Sequence, residues 1–306
     1  ATSTGQNKTL NYTSLSYQRC LIPRIGEDLQ HTLRDVTNYA VIPLDLLLAL
    51  LSFISNFIVL IAVVKTRTLQ HPSLLLLCSL SVTDLLWAAS AFAKGIKTYA
   101  DEDFCPELSG KYSRGFSLLC WLSTLGNLAI ISRDRFLALS KPWWYRNHVT
   151  RSRVVKQAIL VWISAGLLAI SIFASFDLAA TPAVFAYYLI SLIVIVYSYI
   201  GIFIANKRQR RAVHQHGAEI LAVVARERKL ANTVGLILIV LCLTFLPALW
   251  APLIFWLSNL SSAEYHPFRF FIEVFLTLNG FLNPLLNFGR NKSVRRAVFD
   301  LIKRCN

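Results

Sequence analysis

Charged residues are scarce in this chain of 306 residues. Asp, Glu, Lys and Arg together make up 15% of it, whereas soluble domains usually carry about 25%. Apolar residues make up 55% of the chain, and they gather into blocks of about 20 residues, the length that a helix needs to cross a bilayer. Because lipid offers no partner to backbone polar groups, each block is predicted to be helical.

The sequence also lacks the short motifs that mark common enzymes. It has no H-E-x-x-H, no G-x-S-x-G and no G-x-G-x-x-G. None of its histidines falls within an apolar block: His31, His71, His148, His214, His216 and His266. The chain is therefore predicted not to be an enzyme and to hold no transition-metal site.

Seven apolar blocks are separated by short polar stretches, and we call them the first to the seventh span. They cover residues 41–64, 73–93, 114–138, 155–176, 181–205, 232–257 and 268–288. Residues 291–304 are too polar to cross a membrane, but apolar residues recur on one helical face, which is typical of a helix lying on the inner leaflet. The predicted fold is an all-α membrane protein, a seven-transmembrane helix bundle with a short amphipathic C-terminal helix.

Basic residues gather on one side of the predicted membrane. The net charge is +15, and most of the Lys and Arg fall in the loops after the odd-numbered spans and in the tail. Acidic residues, such as Asp101 and Glu102, concentrate in a loop on the other side. The positive-inside rule then predicts an extracellular N-terminus, and it explains the basic balance without nucleic acid, since no soluble basic domain is present.

Sites of modification fit this orientation, in a multi-pass protein of the plasma membrane. Asn7, Asn11 and Asn259 begin glycosylation sequons on the predicted outer side, whereas the sequon at Asn291 lies inside. Cys20 and Cys105 face the oxidising side and can pair, and Cys305 is a candidate for palmitoylation. The predicted domains are a glycosylated N-terminus (1–40), the bundle (41–290), and the amphipathic helix with the tail (291–306).

Polar side chains inside the spans are candidates for function because they are costly in lipid. A carboxylate in the second span is accompanied by neutral polar groups of three other spans. These residues are Asn56, Asp84, Thr124, Asn279 and Asn283. The set suits sodium or a proton; the alternative is a hydrogen-bond network between helices worth about 1 kcal/mol per contact.

A second charged set lies at the predicted inner face. Asp134 and Arg135 close the third span, and Glu227 precedes the sixth. Arg135 can pair with either acid, and a pair that joins the third and sixth spans would be a latch whose opening frees the sixth span. The alternative is a solvated ion pair worth less than about 1 kcal/mol.

Taken together, these features resemble the class A (rhodopsin-like) G-protein-coupled receptors. The resemblance runs from about residue 40 to 304 and rests on motifs in the family's order and spacing. They are Asn56, the LSVTD run ending at Asp84, SRDRF at Ser132–Phe136, Pro142, Trp162, Tyr199–Phe203, Phe245–Pro247, and NPLLN at Asn283–Asn287. The resemblance favours the sodium and latch interpretations.

The resemblance also implies a set of switch residues for activation. These are Asp134, Arg135, Tyr199, Glu227, Phe245, Pro247, Asn283, Pro284 and Asn287. The sequence departs from the family at several motif positions, which include Leu241 and Ser191. Phe136 and Asn287 stand where the family has tyrosine, and Phe245 stands where it usually has tryptophan. These departures affect the expected ease of activation rather than the fold.

Within the family, the short connection at residues 177–181 and the absence of a helix-five proline resemble the melanocortin branch. The segment around Tyr199 and the basic run after it resemble adenosine receptors. Gly110 stands where the family usually has the cysteine of its outer disulfide. Cys20–Cys105 is the expected substitute.

The resemblance indicates which ligand pocket to expect. Ser117 stands where amine receptors have aspartate, and Thr277 where opsins have the retinal-binding lysine, so neither an amine nor retinal is favoured. Asp45, Lys94 and Glu273 stand at the outer ends of spans that are neighbours in the family. Two acids sharing one base invite a cationic ligand group or a proton, or else form a structural cluster with access to water. Trp121 and Trp250 would add apolar walls.

The predicted function is a cell-surface receptor. It would bind an extracellular ligand and activate a heterotrimeric G protein through a swing of the sixth span. Arrestin and membrane lipids are further expected partners, and no cofactor is expected apart from sodium at Asp84. The alternatives are a receptor-shaped protein that acts without ligand or does not signal, and a transporter, which would need polar residues along the whole bundle.

Overall fold

A computed structural model describes residues 27–66, 72–100, 111–173, 177–215, 262–290 and 292–305. All regular structure in these ranges is helical, and the fold is an all-α bundle. Five of the helices contain stretches long and apolar enough to cross a membrane: His31–Lys65, Leu74–Thr98, Gly115–Ser140, Arg151–Ser171 and Pro182–Ala205. A shorter apolar stretch, Phe271–Leu286, lies within the seventh span. The sixth span falls outside the described residues.

The helices are longer than the apolar blocks. The second, third and fourth spans are Pro72–Ala100, Lys111–Ser140 and Arg151–Phe173. The fifth is Asp177–Gln215 and the seventh is Ser262–Arg290. Adding a residue to an existing helix is easier than nucleating one, so helices continue into polar sequence that a hydropathy pattern leaves out.

The first span shows the same effect at its N-terminal end. It runs over Ile42–Lys65, but an amphipathic helix, Glu27–Val36, and a π-helical turn, Thr37–Val41, precede it without a break. The predicted boundary between residues 40 and 41 therefore falls inside helical chain. The connection predicted at residues 177–181 is wrong, since the fifth helix already begins at Asp177. Ala179 and Ala180 are strong helix formers, and they extend the helix beyond the predicted start.

Two short helices flank the bundle. The loop helix, Pro142–His148, was not predicted, although Pro at its first position and basic residues in its last turn are start and stop signals. The tail helix, Lys292–Cys305, agrees with the predicted amphipathic segment. Its Val294 and Val298 are buried against Val59 and Val63 of the first span.

Each described span packs against at least two others. The first contacts the second and seventh, the second also contacts the third and fourth, and the third contacts the fourth and fifth. The main apolar core lies where four spans meet, around Leu76, Leu125, Val154 and Ile195. Large apolar side chains on the outside of the bundle are exposed, as expected for surfaces that face lipid. This packing brings polar groups of the second, third and seventh spans toward one another.

Candidate functional site

Polar contacts occur at three levels of the bundle. Following the predicted orientation, the end that carries Lys94 and Glu273 is called the outer end. The end that carries Asp134 and Arg135 is called the inner end. The level of Asp84 lies between them and is called the middle. Each level joins side chains from at least two different helices.

At the outer end, Lys94 and Glu273 form an ion pair between the second and seventh spans. The distance from Lys94 Nζ to Glu273 Oε2 is 3.1 Å, and the two side chains are 18% and 10% exposed. The same ammonium lies 3.4 Å from the Ser117 hydroxyl and 4.9 Å from the centre of the Trp87 ring. The pair is therefore shielded from water and held by the third span as well.

Trp87 continues this outer cluster toward the first span. Its indole Nε1 donates to the Thr277 hydroxyl at 3.0 Å, and that hydroxyl donates to the backbone oxygen of Glu273. The Asp45 carboxylate lies beside Thr277 and within electrostatic reach of Glu273 and Lys94. Asp45 Oδ1 is buried without a hydrogen-bond partner among the described residues. The outer cluster thus holds two carboxylates and one ammonium.

Trp121 of the third span lies 6.0 Å from Tyr188 of the fifth, measured between ring centres. Its indole nitrogen is buried without a hydrogen-bond partner among the described residues. The aromatic pair gives the third and fifth spans an apolar contact beside the predicted pocket. The other predicted wall, Trp250, lies outside the described residues.

In the middle, Asp84 is bound by the seventh span. Asn283 Nδ2 donates to Asp84 Oδ2 at 2.7 Å, and both residues are buried. Gly280 lies next to them: a Cβ added there would come within 2.9 Å of Ser52 Oγ and 3.5 Å of Asp84. Glycine at this position therefore lets the first, second and seventh spans approach closely.

The Asn56 amide joins the first and seventh spans. Its Nδ2 donates to the backbone oxygens of Ser52 and Gly280, each at 2.9 Å. Its Oδ1 is buried without a hydrogen-bond partner in the described part of the chain. Asn279 and Thr124 are also buried. The middle level thus combines one carboxylate with several neutral oxygens, a donor set suited to a hard monovalent cation.

Two further polar residues of the third span were not singled out from the sequence. Asn127 is fully buried, and both atoms of its amide lack a partner within the described ranges. Ser123 is also buried, and its hydroxyl likewise lacks a hydrogen-bond partner within the described ranges. The spacing of polar residues along the third span would have revealed them, because Asn127 lies three residues after Thr124 and four after Ser123, on one helical face.

At the inner end, Asp134 is held by the loop helix. Tyr145 donates from its hydroxyl to Asp134 Oδ1 at 2.7 Å. Arg135 Nε lies 3.9 Å from Asp134 Oδ2, which is an ion pair but too long for a hydrogen bond. Tyr145 is eleven residues from Asp134 on another helix, and no sequence signal pointed to this contact.

The remaining predicted residues are placed as follows. Tyr199 is half-buried in the fifth span and Pro284 is buried in the seventh; Asn287 lies in the seventh helix and Cys305 at the end of the tail helix. Several residues with predicted roles lie outside the described ranges. They are Asn7, Asn11, Cys20, Cys105, Glu227, Phe245, Pro247, Trp250 and Asn259.

The family described as "7 transmembrane receptor (rhodopsin family)" matches residues 55–180, which contain the Asp84 run, the Asp134–Arg135 pair and the loop helix. The match over these residues and the two relatives described below support a class A (rhodopsin-like) G-protein-coupled receptor. The family consists of receptors, so the prediction that the chain is not an enzyme is confirmed.

Two relatives extend the likeness beyond that match. The "Dopamine D2-like receptor" of Drosophila melanogaster is 26% identical over 214 residues, which is 61% of this chain and 24% of that protein. The "Cannabinoid receptor 2" of Mus musculus is 24% identical over 277 residues, 85% of this chain and 80% of that protein. The chain thus spans about a quarter of the fly receptor and four fifths of the mouse receptor. Both support a multi-pass membrane receptor.

Proposed function

We propose that this rhodopsin-like receptor binds an extracellular ligand with a cationic group at the outer cluster and signals to a heterotrimeric G protein. The observation that carries the proposal is the composition of that cluster. The Lys94–Glu273 pair neutralises one carboxylate, and Asp45 adds a second beside Thr277. Excess negative charge away from bulk water favours a cation.

The outer cluster also has the polar and aromatic composition of a small-molecule binding site. Ser117, Trp87 and Thr277 connect the charged groups across the second, third and seventh spans. A few convergent polar groups among aromatic walls are typical of small-molecule pockets. A ligand that inserts its cation between Asp45 and Glu273 would contact the first and seventh spans and, through the Lys94–Glu273 pair, act on the second. Its affinity would then differ between two arrangements of the bundle, as activation requires.

The names of the two relatives do not indicate one class of ligand for this chain. One is named for dopamine and the other for cannabinoids. Ser117 occupies the position in the third span at which amine receptors have a carboxylate, so a cation would have to reach Asp45 and Glu273 on other spans. The ligand that we propose therefore carries its charge toward the first and seventh spans.

For the inner end, we propose that Arg135 exchanges partners during activation. In the resting receptor it would pair with Glu227 of the sixth span, and the Tyr145 bond would keep Asp134 in place beside it. Breaking the Arg135–Glu227 pair would let the sixth span swing about Pro247 and open a cleft for the G protein. The basic run from Lys207 to Lys229 would meet the G protein, arrestin and anionic lipid.

In the middle, we propose that Asp84 and its neighbours hold sodium in the resting receptor. The support is the donor set, with Asp84, the unpartnered Asn56 Oδ1 and the buried Thr124. The ion would supply a positive charge opposite a buried carboxylate. Removing sodium from the buffer should then raise basal output in the native receptor and leave Asp84→Asn unchanged.

The experiment that tests the proposed function is basal signalling without any ligand. Cyclic AMP and calcium are measured in cells that express the native chain, Glu227→Ala or Arg135→Ala at equal surface levels. We expect Glu227→Ala to raise the output and Arg135→Ala to abolish it. If the output of all three matches that of untransfected cells, the chain is a receptor-shaped protein that does not signal. The departures from the family at Phe245 and Asn287 would then be tested as the cause.

A further inference from the structure

A cleft opens on the membrane-facing surface of the bundle, between the third and fifth spans near their inner ends. Its volume is about 370 Å³, and its walls include Phe136 and Leu139 on one side and Tyr197, Ile204 and Ala205 on the other. Small-molecule sites in proteins begin at about this size. The cleft is separate from the outer cluster and from Asp84.

Gly201 shapes the floor of this cleft. A Cβ added to Gly201 would collide with the ring of Phe136, so the glycine lets that ring lie against the backbone of the fifth span. The Phe136 ring in turn meets Tyr197 edge-on, with ring centres 5.7 Å apart and planes at 80°. The hydroxyl of Ser140, at the edge of the cleft, is used within its own helix by a bond to the backbone oxygen of Phe136.

The position of the cleft along the membrane decides what can fill it. Tyr197 is 67% exposed and Ile200 52% exposed on this face, and such apolar surface on a membrane span contacts lipid tails. The apolar stretches of the third and fifth spans end at Ser140 and Ala205. The cleft therefore reaches from the hydrocarbon region to its boundary with the headgroups.

Basic side chains stand at that boundary. Arg208 lines the end of the cleft, three residues beyond Ala205. Lys207 and Arg208 are both exposed, and so is Lys141, which follows the third span directly. A guanidinium binds a phosphate through two parallel hydrogen bonds, and each basic residue near the surface adds attraction to anionic lipid. The cleft is thus apolar within the hydrocarbon region and positively charged at its headgroup end.

We propose that this cleft is a binding site for one anionic phospholipid, with an acyl chain between the third and fifth spans and the net negative headgroup on Arg208. The bound acyl chain would pack against Phe136, the residue after Arg135. Its presence would therefore affect the inner end of the third span. The assignment to the inner leaflet rests on the proposed orientation. Lipid binding at the cleft does not depend on an extracellular ligand or on signalling to a G protein.

The experiment uses the purified full chain in nanodiscs of phosphatidylcholine. Each preparation contains a minor fraction of either phosphatidylserine or phosphatidylcholine that carries a diazirine on its acyl chain. After photolysis, peptides from the third and fifth spans are quantified by mass spectrometry. We expect label at Leu139–Ser140 and at Ile200–Arg208, and about fivefold more from phosphatidylserine, the factor for one charge contact.

Two variants with matched controls test the geometry. Ala205→Trp fills the cleft and should remove the label, whereas Ile193→Trp, on an exposed face of the same helix, should not. Arg208→Gln should lower phosphatidylserine labelling to the phosphatidylcholine level, whereas Lys156→Gln, an exposed residue outside the cleft, should leave it unchanged. Arg208→Gln alters only an exposed side chain, so it tests the proposal even where Ala205→Trp fails to fold.

Two results would overturn the proposal. One is equal labelling by both phospholipids in the native chain, which removes the role of Arg208. The other is labelling of the cleft peptides that persists in correctly folded Ala205→Trp. Neither readout depends on cyclic AMP or calcium, so a receptor that fails the signalling test can still pass this one, and the two proposals fail separately.

Discussion

Lys94 is held by three kinds of contact at once. It pairs with Glu273, lies close to the Ser117 hydroxyl and faces the ring of Trp87. An ammonium removed from water is costly unless its partners replace the lost hydration. The three contacts come from three different side chains on three spans, so Lys94 joins the second, third and seventh helices at the outer end.

Glu273→Gln should destabilise the receptor, because it leaves Lys94 with a neutral partner in a shielded site. The expected loss is about 3 kcal/mol, the lower end of the range for a broken buried pair, since Asp45 is near enough to share the ammonium. The thermal unfolding midpoint of the detergent-purified receptor measures it. Lys97→Gln is the control, because Lys97 is exposed on the same helix.

The double variant Lys94→Met/Glu273→Leu separates charge from packing. Replacing both partners with apolar side chains of similar size removes the unpaired charge, so it should recover much of the stability lost in Glu273→Gln. A double variant no more stable than the single one would contradict this account of the outer cluster.

Small residues set the distance between helices. The first and second spans meet at Ala49, Ala88 and Ala91, which are 0%, 1% and 2% exposed. In lipid, association depends on close packing and on hydrogen bonds rather than on the hydrophobic effect. The alanines therefore stabilise this helix pair by letting the two backbones approach, and Gly280 does the same between the seventh span and the first two.

Ala88→Leu should force the first and second spans apart. Extra methylenes in a packed contact cost about 1–3 kcal/mol, and the unfolding midpoint should fall accordingly. Ala89→Leu makes the same chemical change one residue away, at an exposed position, and should have almost no effect. Equal effects of the two variants would show that helix propensity or hydrophobicity, rather than packing, decides the outcome.

The whole molecule is organised by the asymmetry of its charge. Lys and Arg outnumber Asp and Glu by 31 to 16, and basic residues border the inner ends of the spans, whereas the buried outer cluster carries excess acid. The positive-inside rule predicts from this asymmetry that the N-terminus is extracellular. Insertion in the opposite sense would carry most of the basic loops across the membrane.

Four sequons test this topology within one chain. Treatment with an N-glycosidase should increase the gel mobility of the native receptor, and the triple variant Asn7→Gln/Asn11→Gln/Asn259→Gln should lose that shift. Asn291→Gln should behave as the native chain does, because its sequon lies on the predicted inner side. A shift that depends on Asn291 would reverse the assignment of inner and outer ends.

The family fold allowed some contacts between side chains of different helices to be predicted, but not others. Lys94 and Glu273 could be expected near each other because the second and seventh spans are adjacent in the family, and the structure joins them at 3.1 Å. The Trp87–Thr277 and Tyr145–Asp134 bonds could not be expected. They depend on the rotation of each helix and on a loop helix that hydropathy does not detect. Hydropathy located the spans but missed helical ends made of polar residues.

The π-helical turn at Thr37–Val41 marks a position at which one residue can be inserted or deleted without disturbing the spans. Such a turn is an α-helix that has taken up one extra residue. Removing one residue there should restore regular winding and leave the spans intact. The preceding segment, Glu27–Val36, would keep the face that it now presents, because the wide turn already absorbs the extra residue. Single-residue length differences among relatives are therefore expected to fall at this turn.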